Sequence, residues 1–272
     1  MSDKYTLFAC SDIHSAYTPW MKALNAAGFD ENNPKHKIVV CGDLFDRMDE
    51  SLRVYDFVED MLKKNKLIYI LGNHESLMTE CIERGYPARH DWSNGTAKSI
   101  IDLAPHAESF YDACHVVYDK VTPLFEKAVN YFETKNYIFV HGWIPLTCKD
   151  NLPYYYTRNR KFEFNPDWRH AHFSEWEQAR WLNGMDMASN GLVEPGKTII
   201  CGHWHCSYGH YMQAMRDAIA AGNSAFDVEM DEFGDTAIWD PYYDDGIIAI
   251  DKCVAYTNEI NVLRLEDEFL EE

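Results

Sequence analysis

Five short polar clusters stand out: Asp12-Ile13-His14, Gly42-Asp43-Leu44-Phe45-Asp46-Arg47, Gly72-Asn73-His74-Glu75, His141-Gly142 and Gly202-His203-Trp204-His205. Carboxylate, imidazole and amide oxygen together suit hard-to-borderline divalent cations such as Mn, Fe, Zn or Ni, and no cluster contains a thiolate. In an extended segment residues i and i+2 point to the same side. Asp12 with His14, and His203 with His205, can therefore each converge on one site. Seven potential ligands exceed what one ion with an open position uses. Two ions sharing a bridging carboxylate use them economically. Any one cluster alone reads as a capped turn or a satisfied buried polar group; five in one chain do not.

Each cluster ends a short β-rich run. The runs are Thr6–Cys10, Ile38–Cys41, Leu67–Leu71, Tyr137–Val140 and Thr198–Cys201, with Gly246–Ile250 a sixth. Their near-continuous Val, Ile, Leu, Phe, Tyr and Cys content marks strands buried on both faces. Binding sites of α/β sheets gather at the carboxyl ends of strands, where these clusters lie. Ser51–Lys64 reads as an amphipathic helix with Leu52, Tyr55, Val58 and Leu62 on one face. Strands alternating with helices predict a layered α/β domain. No linker, repeat or low-complexity tract divides residues 1–272, so a single domain is expected, with a mainly helical insertion at about 76–136. Within that insertion, His106–Phe132 is the longest continuous helical stretch. Asp150–Gly196 is rich in aromatic residues, including Tyr154, Tyr155, Tyr156, Trp168, Trp176 and Trp181. Asp227–Asp245 holds eight carboxylates and no Lys or Arg, and reads as a solvated loop because its spacing has no glycine where a calcium loop needs its sharp turn.

The bulk properties exclude several classes. A net charge of −19 argues against extended nucleic-acid binding, which calls for a basic face. It leaves an anionic substrate open, because bound cations reverse the local field of a cleft. No run of ~18 apolar residues predicts a membrane span, and the first residues do not resemble a signal peptide. The eight cysteines form no paired C-x-x-C motifs, and Cys10, Cys41 and Cys201 look like buried strand residues. Reduced thiols and a cytoplasmic location follow as expectations.

The order D-x-H, G-D-x-x-D-R, G-N-H-E, H and G-H-x-H resembles the calcineurin-like metallophosphoesterase superfamily, closest to its serine/threonine phosphoprotein phosphatase and diadenosine-tetraphosphatase branch. The motifs span Asp12 to His205, and Ile247–Asp251 resembles that branch's closing strand. The resemblance implies a four-layer α/β/β/α sandwich of two mixed sheets flanked by helices. It implies that Asp12, His14 and His205 hold one metal and that Asn73, His141 and His203 complete a second, with Asp43 bridging. Two divalent ions, manganese favoured, are thus the expected cofactors. His74 resembles the general acid, Asp46 its orienting partner and Arg47 a phosphate-binding arginine; Arg180 is a candidate second one. Ser15, Met48 and Trp143 stand where the branch usually has glycine, and His205 is a histidine that its last motif often lacks. The reaction implied is hydrolysis of a phosphomonoester by metal-bound hydroxide, on a phosphoprotein, nucleotide or small molecule. A phosphodiesterase or dinucleoside-polyphosphate hydrolase is the alternative. A catalytically dead scaffold would show eroded ligands, and all seven are intact.

Overall fold

The computed structural model describes residues 4–148, 161–225 and 228–270. Its strands are β1 (Lys4–Cys10), β2 (His36–Cys41), β3 (Leu67–Ile70), β4 (Phe132–Glu133), β5 (Tyr137–Phe139), β6 (Thr147–Cys148), β7 (Phe162–Glu163), β8 (Thr198–His205), β9 (Tyr242–Asp244), β10 (Ile247–Asp251) and β11 (Leu263–Glu268). The helices used below are α1 (Tyr17–Ala27), α2 (Ser51–Lys63), α3 (Asn73–Arg84), α4 (Arg89–Asn94), α5 (Thr96–Leu103), α6 (Phe110–Phe125), α7 (Phe173–Ala179), α8 (Gly184–Ser189) and α9 (Cys206–Ala220). All six expected strands form. One sheet has the order β11-β1-β2-β3 and the other β4-β5-β8-β10-β9, with β6-β7 a separate ribbon. In the first sheet the parallel strands β1, β2 and β3 carry one antiparallel edge, β11, and in the second the parallel β5, β8 and β10 carry antiparallel edges on both sides.

Alternation along the strands builds the layers. Phe8 and Cys10 of β1, with Ile38 and Val40 of β2, face a core shared with α1, α2, α3, α5 and α6. Leu7, Ala9, Val39 and Cys41 point the other way and meet Phe139, Ile200, Ile248 and Ile250 of the second sheet. Ile138, Ile199, Cys201 and Ile247 then face α7, α8 and Trp143. Because each strand is sandwiched between two apolar layers, its sequence is apolar throughout. The arrangement is helices, sheet, sheet, helices. No helix among the described residues is long and apolar enough to cross a membrane.

Several details depart from the expectations. α2 buries Ser51, Val54, Val58 and Met61, while Leu52, Tyr55 and Leu62 lie at the margins of the stripe. The small Ser51 lets the helix approach, and its hydroxyl hydrogen-bonds Ser15 and Ser99. The helical stretch begins at Asn73, inside the third cluster. Its longest helix is confined to Phe110–Phe125 and is followed by strand at Phe132–Glu133. Trp168 and Trp176 are core residues against Tyr131, whereas Tyr154, Tyr155 and Tyr156 fall outside the described residues.

Candidate metal centre

The carboxyl ends of β1, β2, β3, β5 and β8 meet along one edge of the sandwich. The cavity there, about 350 Å³, is lined by Asp12, His14, Asp43, Arg47, Asn73, His74, His203 and His205, joined by Trp181, Phe233 and Asp251. The turns that present these groups are tight. Among the described residues ten non-glycine positions have positive φ, and seven of them are Asp12, His14, Ser15, Asp43, Asp46, Arg47 and His203. Such left-handed backbone costs about 1–3 kcal/mol per residue and gathers where surrounding structure enforces it. Ser15, in a position where the resemblance expects glycine, has φ 59°. Its N–H donates to the Leu44 carbonyl at 2.8 Å and its hydroxyl meets Ser51 at 2.9 Å.

Glycines permit the close approach of these loops. A Cβ on Gly202 would stand 2.2 Å from an Asp12 carboxylate oxygen, and one on Gly72 would stand 2.1 Å from an Asp43 oxygen. Glu75 fastens two loops together: its carboxylate accepts N–H groups from Gly72 (2.6 Å), Leu44 (2.9 Å) and Asp43 (3.1 Å). The residue appears in the third cluster, but nothing in the sequence signals this role. Glu75→Ala should orphan three buried donors and lower stability by about 3 kcal/mol or more. Glu75→Gln, which keeps one acceptor, should cost less; denaturant unfolding of both variants checks the order.

Asp43 stands at the centre. Its Oδ1 faces His141 Nε2 at 3.4 Å and its Oδ2 faces His14 Nε2 at 3.8 Å. One ligand-competent group comprises His14, Asp43 and His74; another comprises Asp43, His141 and His203. Asp12 Oδ1 lies 3.9 Å from His14 Nε2. His14 Nδ1 sits 2.9 Å from the Phe45 carbonyl and His141 Nδ1 sits 2.8 Å from that of Cys41. Nδ1 therefore carries the proton in each ring, and Nε2 turns a lone pair inward, as metal-binding histidines do. His141 Nε2 then meets Asn73 Oδ1 at 2.8 Å. Two acceptors so placed are satisfied by a shared cation or by a flipped amide.

The electrostatics point the same way. Burial keeps the His14 imidazole neutral by pushing its pKa well down, and it pushes His203 to about 3. Burial, then Asp251 and Asp43, drives the Asp12 carboxyl well up. Burial likewise raises Asp251 to about 6. Burial opposes ionisation of Asp43 too, but His141 and His74 outweigh it and hold this carboxyl low. Neutral buried imidazoles facing crowded buried carboxylates form a donor set that fits divalent cations.

His74 Nδ1 lies 2.7 Å from Asp46 Oδ2, which also accepts from the Thr96 hydroxyl at 2.6 Å. The Asp46 N–H donates to Ser99 Oγ at 2.8 Å. Burial disfavours the His74 imidazolium, yet Asp43 and the Asp46 hydrogen bond together raise its pKa above the usual value. Arg47 Nε donates to His14 Nε2 at 3.1 Å, and its Nη2 lies 3.4 Å from His74 Nε2. An exposed guanidinium thus reaches into the centre. Arg180 is buried outside the cavity lining, with its guanidinium engaged by Asn130 Oδ1 at 2.7 Å and Ser76 Oγ at 3.3 Å.

The two i, i+2 pairs behave differently from extended backbone. Asp12 and His14 converge through left-handed turns. His203 also has positive φ, and β8 slips register so that Ala249 pairs with Cys201 but Asp251 pairs with His205. His203 consequently joins Asp43 and His141, whereas His205 is turned aside: its Nδ1 accepts the Tyr208 N–H at 3.2 Å, capping α9. Thr96, Ser99, Trp181, Phe233 and Asp251 complete the surroundings of the centre. Their distance in sequence from the clusters left them without a signal, except for Asp251 at the end of a predicted strand.

The chain is similar to several known proteins. The chain is 36% identical over 69 residues to the asymmetrical bis(5'-nucleosyl)-tetraphosphatase PrpE of Anoxybacillus flavithermus, a match covering 23% of this chain and 28% of that protein. The chain thus spans little more than a quarter of the length of this curated relative. A cold-active protein-tyrosine phosphatase of a psychrophilic Shewanella aligns structurally over 96% of this chain and 75% of its own, at 12% identity and TM-score 0.49. A protein serine/threonine phosphatase from Saccharomyces cerevisiae aligns over 98% and 81%, at 12% identity and TM-score 0.43. The calcineurin-like phosphoesterase family matches residues 5–207, the span that carries all five strand-end clusters, and the chain belongs to that family.

Proposed function

We propose that this protein is a two-metal phosphoesterase acting on a phosphomonoester. The observation that carries the reading is Asp43, whose two oxygens face two separate imidazole groups. Asp12, His14 and His205 would hold one ion and Asn73, His141 and His203 the other, with Asp43 between them. When bound, two such ions acidify water and neutralise phosphate charge; manganese is our first choice among the metals this donor set accepts. The protein's own groups do the rest. Arg47, exposed and in the cavity lining, would fork onto phosphoryl oxygens. His74, aligned by Asp46, delivers a proton to the departing oxygen. Arg180 would have to leave Asn130 and Ser76 to reach a phosphate.

A covalent phosphoenzyme finds little support. Cys253 is the one thiol in the cavity lining, and burial pushes it up to about 11, away from the nucleophilic thiolate. Eight cysteines without a disulfide suit a reducing compartment such as the cytoplasm. The name of the curated relative favours a second reading, a dinucleoside-polyphosphate hydrolase. A screen of phosphomonoesters, phosphodiesters and nucleoside polyphosphates with added Mn²⁺ or Ni²⁺ separates the two. Monoesters should give the highest kcat/KM. Preference for a dinucleoside polyphosphate would replace the first reading with the second, and no hydrolysis of any class with either metal would sink both.

A further inference from the structure

The acidic segment does more than solvate the surface. Its Glu232 Oε1 lies 3.3 Å from His205 Nε2. That is long for a charge-assisted hydrogen bond, typically about 2.7–2.9 Å. It does match two donors on one cation, whose bonds of about 2.0–2.2 Å place them roughly 3.0–3.4 Å apart at octahedral to tetrahedral angles. The carboxylate is held there by a built turn. Asp231 closes the turn on Thr236, its N–H donating to Oγ1 at 2.8 Å and its Oδ2 accepting from that hydroxyl at 3.0 Å. Next to Glu232, Phe233 packs its ring 4.6 Å from the His205 ring and 5.6 Å from Trp239. Trp239 is tied to the body of the protein through its carbonyl, which accepts from Asn261 Nδ2 at 2.9 Å. Phe233 and Glu232 therefore bring an aromatic and a carboxylate together onto one imidazole that lines the metal cavity.

We propose that Glu232 is a further ligand of the cation assigned to Asp12, His14 and His205, a detachable carboxylate on a surface turn that sets how firmly that position is filled. The assignment rests on the two-metal reading above. His205 is turned away from the Asp43 groups, and with Glu232 its end of the site gains a further anionic arm beside Asp12 and the bridging Asp43. A ligand on a turn can also release when a phosphate needs its coordination place.

The test uses the intact chain, stripped with a chelator and titrated with Mn²⁺ by calorimetry. Glu232→Gln should weaken one of two Mn²⁺ sites by about 10–100-fold and leave the other unchanged. Glu229→Gln removes the same charge from an exposed position of the same segment and should shift neither site by more than about twofold, because screening mutes a solvated charge. Equal thermal unfolding of the two apo variants rules out a general loss of structure. A Glu232→Gln protein that binds both ions as the wild type does would overturn the assignment alone. Tighter binding would overturn it too, by making Glu232 a competitor of the metal for His205. A wild type that takes up fewer than two ions would overturn the two-metal reading, and this assignment with it.

Discussion

Asp43→Asn is expected to remove nearly all activity and to loosen both metal positions together. The carboxylate offers one oxygen to His141's side of the centre and the other to His14's, and its Oδ1 also accepts the His74 backbone N–H at 3.0 Å. Asparagine has nearly the same shape but contributes one neutral oxygen and turns an N–H₂ donor toward the other group. The change therefore isolates charge and bridging from packing. Cations and their ligands supply several kcal/mol of transition-state stabilisation, and about 4 kcal/mol corresponds to roughly 10³ in rate. His36→Ala is the matched control. His36 is also buried, but its Nδ1 accepts the Asp30 N–H at 3.1 Å at the other end of β2, so its loss should leave metal content and kcat unchanged. Metal titration and steady-state rates on both variants check this. An Asp43→Asn protein with one position intact and the other lost would mean that the carboxylate serves a single ion.

His74→Asn is expected to show a loss that depends on the leaving group. Removing a general acid costs about 10²–10⁴ in rate, and less where the departing oxygen needs no proton. An alkyl phosphate should suffer the full loss, and p-nitrophenyl phosphate a much smaller one, with both metals retained. The last condition matters because His74 Nε2 also stands 3.9 Å from Asp43 Oδ2, within a ligand-competent group. Loss of metal in His74→Asn would make it a ligand and not an acid. Asp46→Asn should give a milder version of the same pattern, with a distinct pH signature. The Asp46 hydrogen bond helps raise the His74 pKa, so the protonated form needed for donation persists to higher pH. Weakening that bond lowers this pKa, and the alkaline limb of kcat/KM should move to lower pH. An unmoved limb would remove the acid role from His74.

Much of this centre is legible in the sequence because strand ends are marked twice, by apolar runs that stop and by polar residues that begin. Phe8 and Cys10 on one side of β1 and Leu7 and Ala9 on the other each meet a separate apolar layer, so continuous hydrophobicity identified the strand without showing which face met which layer. Apolar residues surround more than half of α2, so the pattern places its stripe one edge away from the buried face. The buried face includes Ser51, whose hydroxyl meets Ser15 in a long-range contact that no spacing rule contains. The i, i+2 rule assumes extended backbone and fails at His203, where a left-handed turn and a register slip separate it from His205. Glu232, Phe233 and the Thr96 brace on Asp46 act across long stretches of chain, and only tertiary folding brings them to the centre.

Elemental analysis of catalytically active, fully loaded protein tests the central claim most directly. Two equivalents of divalent transition metal per chain are expected, with activity rising to its maximum only as the second is filled. Full activity with one equivalent, or with none, would contradict it.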